Sequence, residues 1–190
     1  MATQPDRLWM RVEDYLTLDR NSPDVRYEYI DGYAYLLAGG TANHSTIKLN
    51  ITSVLKGLLR GGSCRVYDSD LKVRLSASRY AYPDAMVSCD SRDRGKIDVA
   101  HSPRIVFEVL SPSTEAYNRG EKFDYYRACP TIEEYVLVNA ERQSIEVYRR
   151  EAPFWVLSTF EAGDDVKLSS INVYMPVAAI YEDVLFSDDV

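Results

Sequence analysis

Apolar positions along the chain recur with two periods, and the changes between them mark the predicted elements. Thr41 or Asn43 can cap a helix running to about Leu59, with Ile47, Ile51, Val54, Leu55 and Leu58 on one stripe at helical spacing. Gly61-Gly62 ends it. A shorter amphipathic helix is predicted over Val12 to Leu18, its acids early, where the helix dipole favours them. Ser113 to Ala128 reads as a further helix closed by Cys129-Pro130, and a last short one lies near Pro176 to Val184. Between these, Arg26 to Ile30 and Tyr33 to Ala38 alternate on either side of Asp31-Gly32, a hairpin signal. Cys64 to Leu75 and Tyr80 to Ser88 read as β segments, and Ser91 to Ala100 as a polar, mobile loop. Arg104 to Leu110 is a compact apolar run, the pattern of a strand buried on both faces. Glu134 to Asn139, Ser144 to Arg150 and Phe154 to Phe160 follow at hairpin spacing.

This order predicts an α/β (α+β) fold: a mixed central β-sheet flanked by helices, with an N-terminal helix and β-hairpin. No repeat, low-complexity tract or linker divides the chain, so residues 1–190 are expected to form a single domain. No apolar run is long enough to cross a bilayer, and Met1 to Arg11 lacks the apolar core of a signal peptide. The three cysteines, Cys64, Cys89 and Cys129, stand far apart; half-buried free thiols and a cytoplasmic setting are expected.

Composition narrows the chemistry. A net charge of −7 argues against a protein that grips nucleic acid over a broad surface, which takes a basic footprint. Local basic clusters do occur, Arg60 to Arg79 and Arg92 to Lys96, and they read equally as solvated strand edges or as a phosphate track.

Glu108 is the acid inside the buried-looking strand, where a carboxylate is expelled or protonated unless a cation or hydrogen bonds compensate it. Asp84, between Pro83 and the apolar Ala85-Met86-Val87, is its expected companion on the neighbouring strand. Facing strands put two such side chains about 5 Å apart. A cation between them relieves their repulsion, and magnesium, with manganese as a substitute, suits an all-oxygen site. The structural alternative pairs Glu108 with Arg104 or a lysine and makes Asp84 a turn residue.

Pro83-Asp84 followed by Glu108-Val109-Leu110 resembles the PD-(D/E)xK motif of restriction-endonuclease-like nucleases. The longer run Arg104 to Thr114, then Lys122, Tyr126 and Glu134 to Val138, is similar to the signature of the Uma-two family of endonucleases. Tyr27 to Gly32 and Asn43-His44 match it too, so the resemblance spans about Val12 to Val184. It implies metal-dependent phosphodiester cleavage, with Asp84, Glu108 and the Val109 carbonyl as metal ligands. Leu110 stands where the motif has its lysine, and the resemblance assigns that role to Lys122 on the next helix. Asn118 replaces the family's usual acid, while Glu28 and Tyr126 are supporting residues. The implied partner is nucleic acid, DNA ahead of RNA, and related nucleases suggest a homodimer.

The remaining candidates divide between roles. His44 can shuttle protons or bond at a helix start. His101 is given no role, and Ser111, Ser113 and Thr114 read as capping residues. The fifteen tyrosines read first as half-buried sheet faces and second as base-stacking groups. Trp9 and Trp155 are expected in the core or an interface. Three classes stay open: a magnesium-dependent endonuclease, a catalytically inactive binding module of the same fold, and an interaction scaffold with Asp84 and Glu108 in an internal ion-pair site.

Overall fold

The computed structural model describes residues 7–37 and 39–186. Strand β1 (Arg7–Trp9) leads into helix α1 (Val12–Arg20) and the hairpin β2 (Tyr27–Ile30) and β3 (Tyr33–Leu36). Asp31 and Gly32, at φ 47° and 98°, make the hairpin turn with the twist that Asp-Gly suits. Helix α2 (Ala42–Leu58) starts at Thr41, whose side chain accepts the His44 amide. Strands β4 (Arg65–Asp68), β5 (Lys72–Ser76), β6 (Arg79–Ala81), β7 (Ala85–Ser88), β8 (Val99–Ala100) and β9 (Pro103–Leu110) follow. After α3 (Glu115–Arg119) and α4 (Glu121–Ala128) come β10 (Glu134–Asn139), β11 (Ser144–Glu151) and β12 (Phe154–Glu161). The small hairpin β13 (Asp165–Leu168) and β14 (Val173–Pro176) precedes α5 (Val177–Ile180).

The fold is the expected α+β arrangement of mixed sheet flanked by helices, with the strands divided between two six-stranded sheets rather than one. The first has the order β1-β3-β2-β6-β5-β8 and the second β12-β11-β10-β9-β7-β4, with β9 and β10 parallel. The segment Tyr80 to Ser88 is divided between them: β6 lies in the first sheet and β7 in the second. Proline has no amide hydrogen to continue a ladder, and the chain changes sheets at Tyr82-Pro83-Asp84.

Strand β9 is the centre of the packing. Its odd-numbered residues Ile105, Phe107 and Val109 meet the α2 stripe of Ile47, Ile51 and Leu55. On the opposite face, Val106 and Leu110 pack with Tyr126, Ile132 and Tyr135. A third cluster, Tyr15, Tyr29, Ala34 and Tyr80, holds α1 against the first sheet. A buried ion pair between Lys72 and Asp19 fixes α1 to β5, and the Tyr82 hydroxyl donates to Asp19 at 2.8 Å.

Other expectations are corrected. The helix over Ser113 to Ala128 is two helices, because Gly120, at φ −106° and ψ −104°, leaves helical geometry. The polar loop after Ser91 is tied inward by buried Asp93, which accepts the Ser88 hydroxyl and the amides of His101 and Ser102. Trp9 is 71% exposed, which removes the core from its two expected places and does not bear on the interface. Cys64 and Cys89 form a disulfide rather than standing as free thiols, since the β4–β7 register that pairs Arg65 with Ser88 sets them opposite each other. The step from free thiols to a reducing compartment therefore loses its footing, while Cys129 is free and buried. Among the described residues no helix is long and apolar enough to cross a membrane.

Candidate active site

The break between β6 and β7 places Asp84 where both sheets and two helices meet. Ala85 pairs with Phe107, so Asp84 comes level with the Glu108-Val109 step of β9. Its Oδ2 accepts the Val109 amide at 2.8 Å. From the α2 side, His44 sets Nε2 3.3 Å from Oδ2 and Lys48 sets Nζ 3.5 Å from Oδ1. Burial works against ionisation, but the His44 hydrogen bond and charge, the Val109 amide and Lys48 outweigh it. The Asp84 carboxyl is held below the ordinary carboxylate range.

Glu108 faces the opposite helix layer. Its Oε1 accepts the Tyr126 hydroxyl at 2.7 Å and lies 2.9 Å from Lys122 Nζ. Lys122 also lies 3.0 Å from Glu28 Oε1 on β2, and that oxygen accepts the Tyr82 amide at 3.2 Å. Glu28, Glu108 and Lys122 are all buried. Burial pushes the Glu108 carboxyl up to about 7; Lys122 and the Tyr126 hydrogen bond pull it down, while Asp84 and Glu28 push it up. Burial lowers the Lys122 ammonium, yet the charges of Glu108 and Glu28 override this and hold it well above its ordinary value.

The residues expected at the site fall into two groups, His44 against Asp84 and Glu28, Lys122 and Tyr126 around Glu108, with Asp84 close enough to Glu108 to push its carboxyl up. Leu110, at the motif's lysine position, is buried in the apolar cluster beside Tyr126, and the ammonium comes instead from α4. Val109 reaches Asp84 through its amide. Asn118 is buried on α3, and its carbonyl accepts the Tyr135 hydroxyl at 3.0 Å. Sequence reasoning missed Lys48. Its spacing of four from His44, which puts both on one helix face, was the available signal.

The donor set fits a hard divalent cation. Asp84 and Glu108 offer carboxylate oxygens, and burial is the main cause that raises the Glu108 carboxyl, with the nearby charges of Asp84 and Glu28 adding to it. Among the described residues no group of three or more His, Cys, Asp or Glu is placed to hold a metal alone. Two carboxylates completed by water and substrate phosphate are the arrangement magnesium commonly takes.

Mixed sheets between helices, with an acid pair and a lysine at the sheet junction, define a restriction-endonuclease-like α/β protein. The chain belongs to the Uma2 family, whose model, described as "Putative restriction endonuclease", matches residues 12–177. It is 36% identical over 176 residues to the Synechocystis protein named "Uncharacterized protein slr1290", covering 92% of each chain. A second Synechocystis relative, "Uncharacterized protein sll1609", is 26% identical over 159 residues, 82% of this chain and 89% of its own. The fold is similar to the crystal structure of "a putative nuclease belonging to DUF820" from Anabaena variabilis, at TM-score 0.76 and 19% identity, covering 93% of this chain and 99% of that one.

Proposed function

We propose that the protein is a magnesium-dependent endonuclease that cleaves phosphodiester bonds in nucleic acid, DNA ahead of RNA. The observation that carries this reading is the junction of Asp84 and Glu108, with Lys122 2.9 Å from Glu108, in a chain of an endonuclease family. The carboxylates of Asp84 and Glu108 would hold the cation, the Val109 carbonyl serving as a third ligand. When bound, the cation supplies Lewis acidity toward a phosphate oxygen and a water of lowered pKa. Lys122 Nζ favours the ionised form of Glu108 against its burial, and orients the attacking water or screens charge developing on the phosphate oxygens. Tyr126 fixes the Glu108 rotamer, and Glu28 holds Lys122 from the other sheet. His44 and Lys48 hold Asp84 charged.

The test is cleavage of supercoiled plasmid and of single-stranded circular DNA with magnesium, manganese or EDTA, beside Asp84→Ala and Lys122→Ala. Metal-dependent cutting absent from both variants supports the reading. Cutting unchanged in both variants removes Asp84 and Lys122 from the chemistry, and no cutting of either DNA by the wild type overturns the reading in favour of a binding module.

A further inference from the structure

The first sheet presents an aromatic row that leads away from the carboxylate junction. Residues directly opposite on antiparallel strands share a face, as do residues two apart on one strand. Glu28 pairs with Tyr35, and Tyr33 pairs with Trp9. Tyr33 and Tyr35 are two apart on β3, so Glu28, Tyr35, Tyr33 and Trp9 lie on one side of the sheet. The other side is the one closed by α1 through Tyr15, Tyr29, Ala34 and Tyr80. On the Glu28 side α4 covers the inner part of the sheet, where Lys122 meets Glu28 and Arg79 lies 4.5 Å from the Tyr125 ring centre. Among the described residues the cover gives out toward the edge: Tyr33 is 38% exposed and Trp9 71%.

Exposed rings also occur at Phe154 and Tyr174, but β12 and β14 do not border the junction. Those on β3 and β1 follow Glu28 across the sheet, one and two strands away. Adjacent residues in the row are about 5 to 7 Å apart, close to one nucleotide step in an opened strand. The acidic charge of the chain, −7, gives a second reason to look to rings. The net charge of the chain favours local over broad phosphate neutralisation, and Lys48 and His44 stand on the α2 side of the junction. Stacking on aromatic faces supplies affinity without added charge, and it reaches only bases that are not already paired and stacked in a duplex.

Building on the endonuclease reading, we infer that Trp9 and Tyr33 form a stacking platform for unpaired bases beside the scissile phosphate, so that the substrate is single-stranded or locally opened nucleic acid. Tyr35 carries the strand from this platform to the carboxylates. Phosphates flanking the cut lie toward His44 and Lys48 on the α2 side.

The experiment measures fluorescence anisotropy of labelled oligothymidylate of about 12 nucleotides, within the usual site sizes of single-strand binders. It is repeated with the same length as duplex and as an abasic strand, in EDTA so that no cleavage intervenes. Wild type, Trp9→Phe and the double variant Trp9→Ala/Tyr33→Ala are compared, with circular dichroism as a folding control. The inference expects the wild type and Trp9→Phe to bind the thymidylate alike, and the double variant to bind it on the order of tenfold or more weakly. The abasic strand and the duplex bind wild type and double variant equally. Equal thymidylate binding by the folded double variant overturns the inference, as does an equal loss on the abasic strand, or a wild type that binds no thymidylate. The endonuclease reading fails separately. Ring-dependent binding without cleavage in magnesium leaves the platform standing and removes the enzyme, while cleavage with ring-independent binding does the reverse.

Discussion

Lys122 and Tyr126, one turn apart on α4, both bond the same oxygen, Glu108 Oε1, at 2.9 and 2.7 Å. One brings charge and the other a neutral hydroxyl, and together they let a strand bury a carboxylate that apolar surroundings would expel.

The first prediction concerns that compensation. Lys122→Met leaves Glu28 and Glu108 buried without their cation, and removal of one partner from such a cluster costs about 3–5 kcal/mol. Urea unfolding in EDTA is expected to show this loss. The triple variant Lys122→Met/Glu108→Gln/Glu28→Gln is expected to recover most of it, and no recovery would mean that the lysine stem rather than the charge stabilises the site.

Metal binding can be read without activity. If Asp84 and Glu108 hold magnesium, the cation at 100 times its dissociation constant stabilises the wild type by about 2.7 kcal/mol. Thermal unfolding against magnesium concentration is expected to rise for the wild type and stay flat for Asp84→Asn. A matching rise in the variant would place the cation elsewhere.

The disulfide closes a separation of 25 residues, for which chain entropy alone gives about 3 kcal/mol. Denaturant unfolding with and without reductant measures it, and Cys64→Ser/Cys89→Ser is expected to match the reduced wild type. Thiol titration of the unfolded, unreduced chain is expected to find one free group, Cys129. Three would refute the pairing.

Acid stability depends in part on Glu146. The Arg119 guanidinium bonds both its oxygens, at 2.6 and 2.9 Å, and holds its carboxyl below the ordinary value. A depressed carboxylate contributes stability above its unfolded pKa, near 4.3, and loses it as pH falls through the folded value. Thermal melts from pH 6 down to about pH 3 are expected to show a shallower acid limb in Glu146→Gln, the difference on the order of 1 kcal/mol for a part-buried pair. A limb identical to wild type would remove Glu146 from the account.

Legibility in the sequence followed physical rules. Glu108 stood out because an acid within Arg104 to Leu110 breaks an apolar pattern, and the structure gives it the compensation such an acid needs. Asp84 stood out through its proline neighbour. Lys122 could be assigned only through family resemblance, since a lysine on a helix looks like any solvated cation until the helix docks. Lys48 was hidden for the same reason, on a helix read for its apolar stripe. The division into two sheets was invisible because Tyr80 to Ser88 has strand character on both sides of Pro83, and propensity does not say which partner a strand takes. The disulfide depended on that missing register.

The crossing at Tyr82-Pro83-Asp84 has a mechanical consequence. Glu28 rides on the first sheet and Glu108 on the second, and the Lys122 ammonium touches both. The span between these acids is therefore a readout of the dihedral between two plates, with residues 82–84 as the fold line. The tyrosine packing under α1 sets the angle of the first plate, so trimming it is expected to change the Glu28–Glu108 span with every acid of the junction still in place.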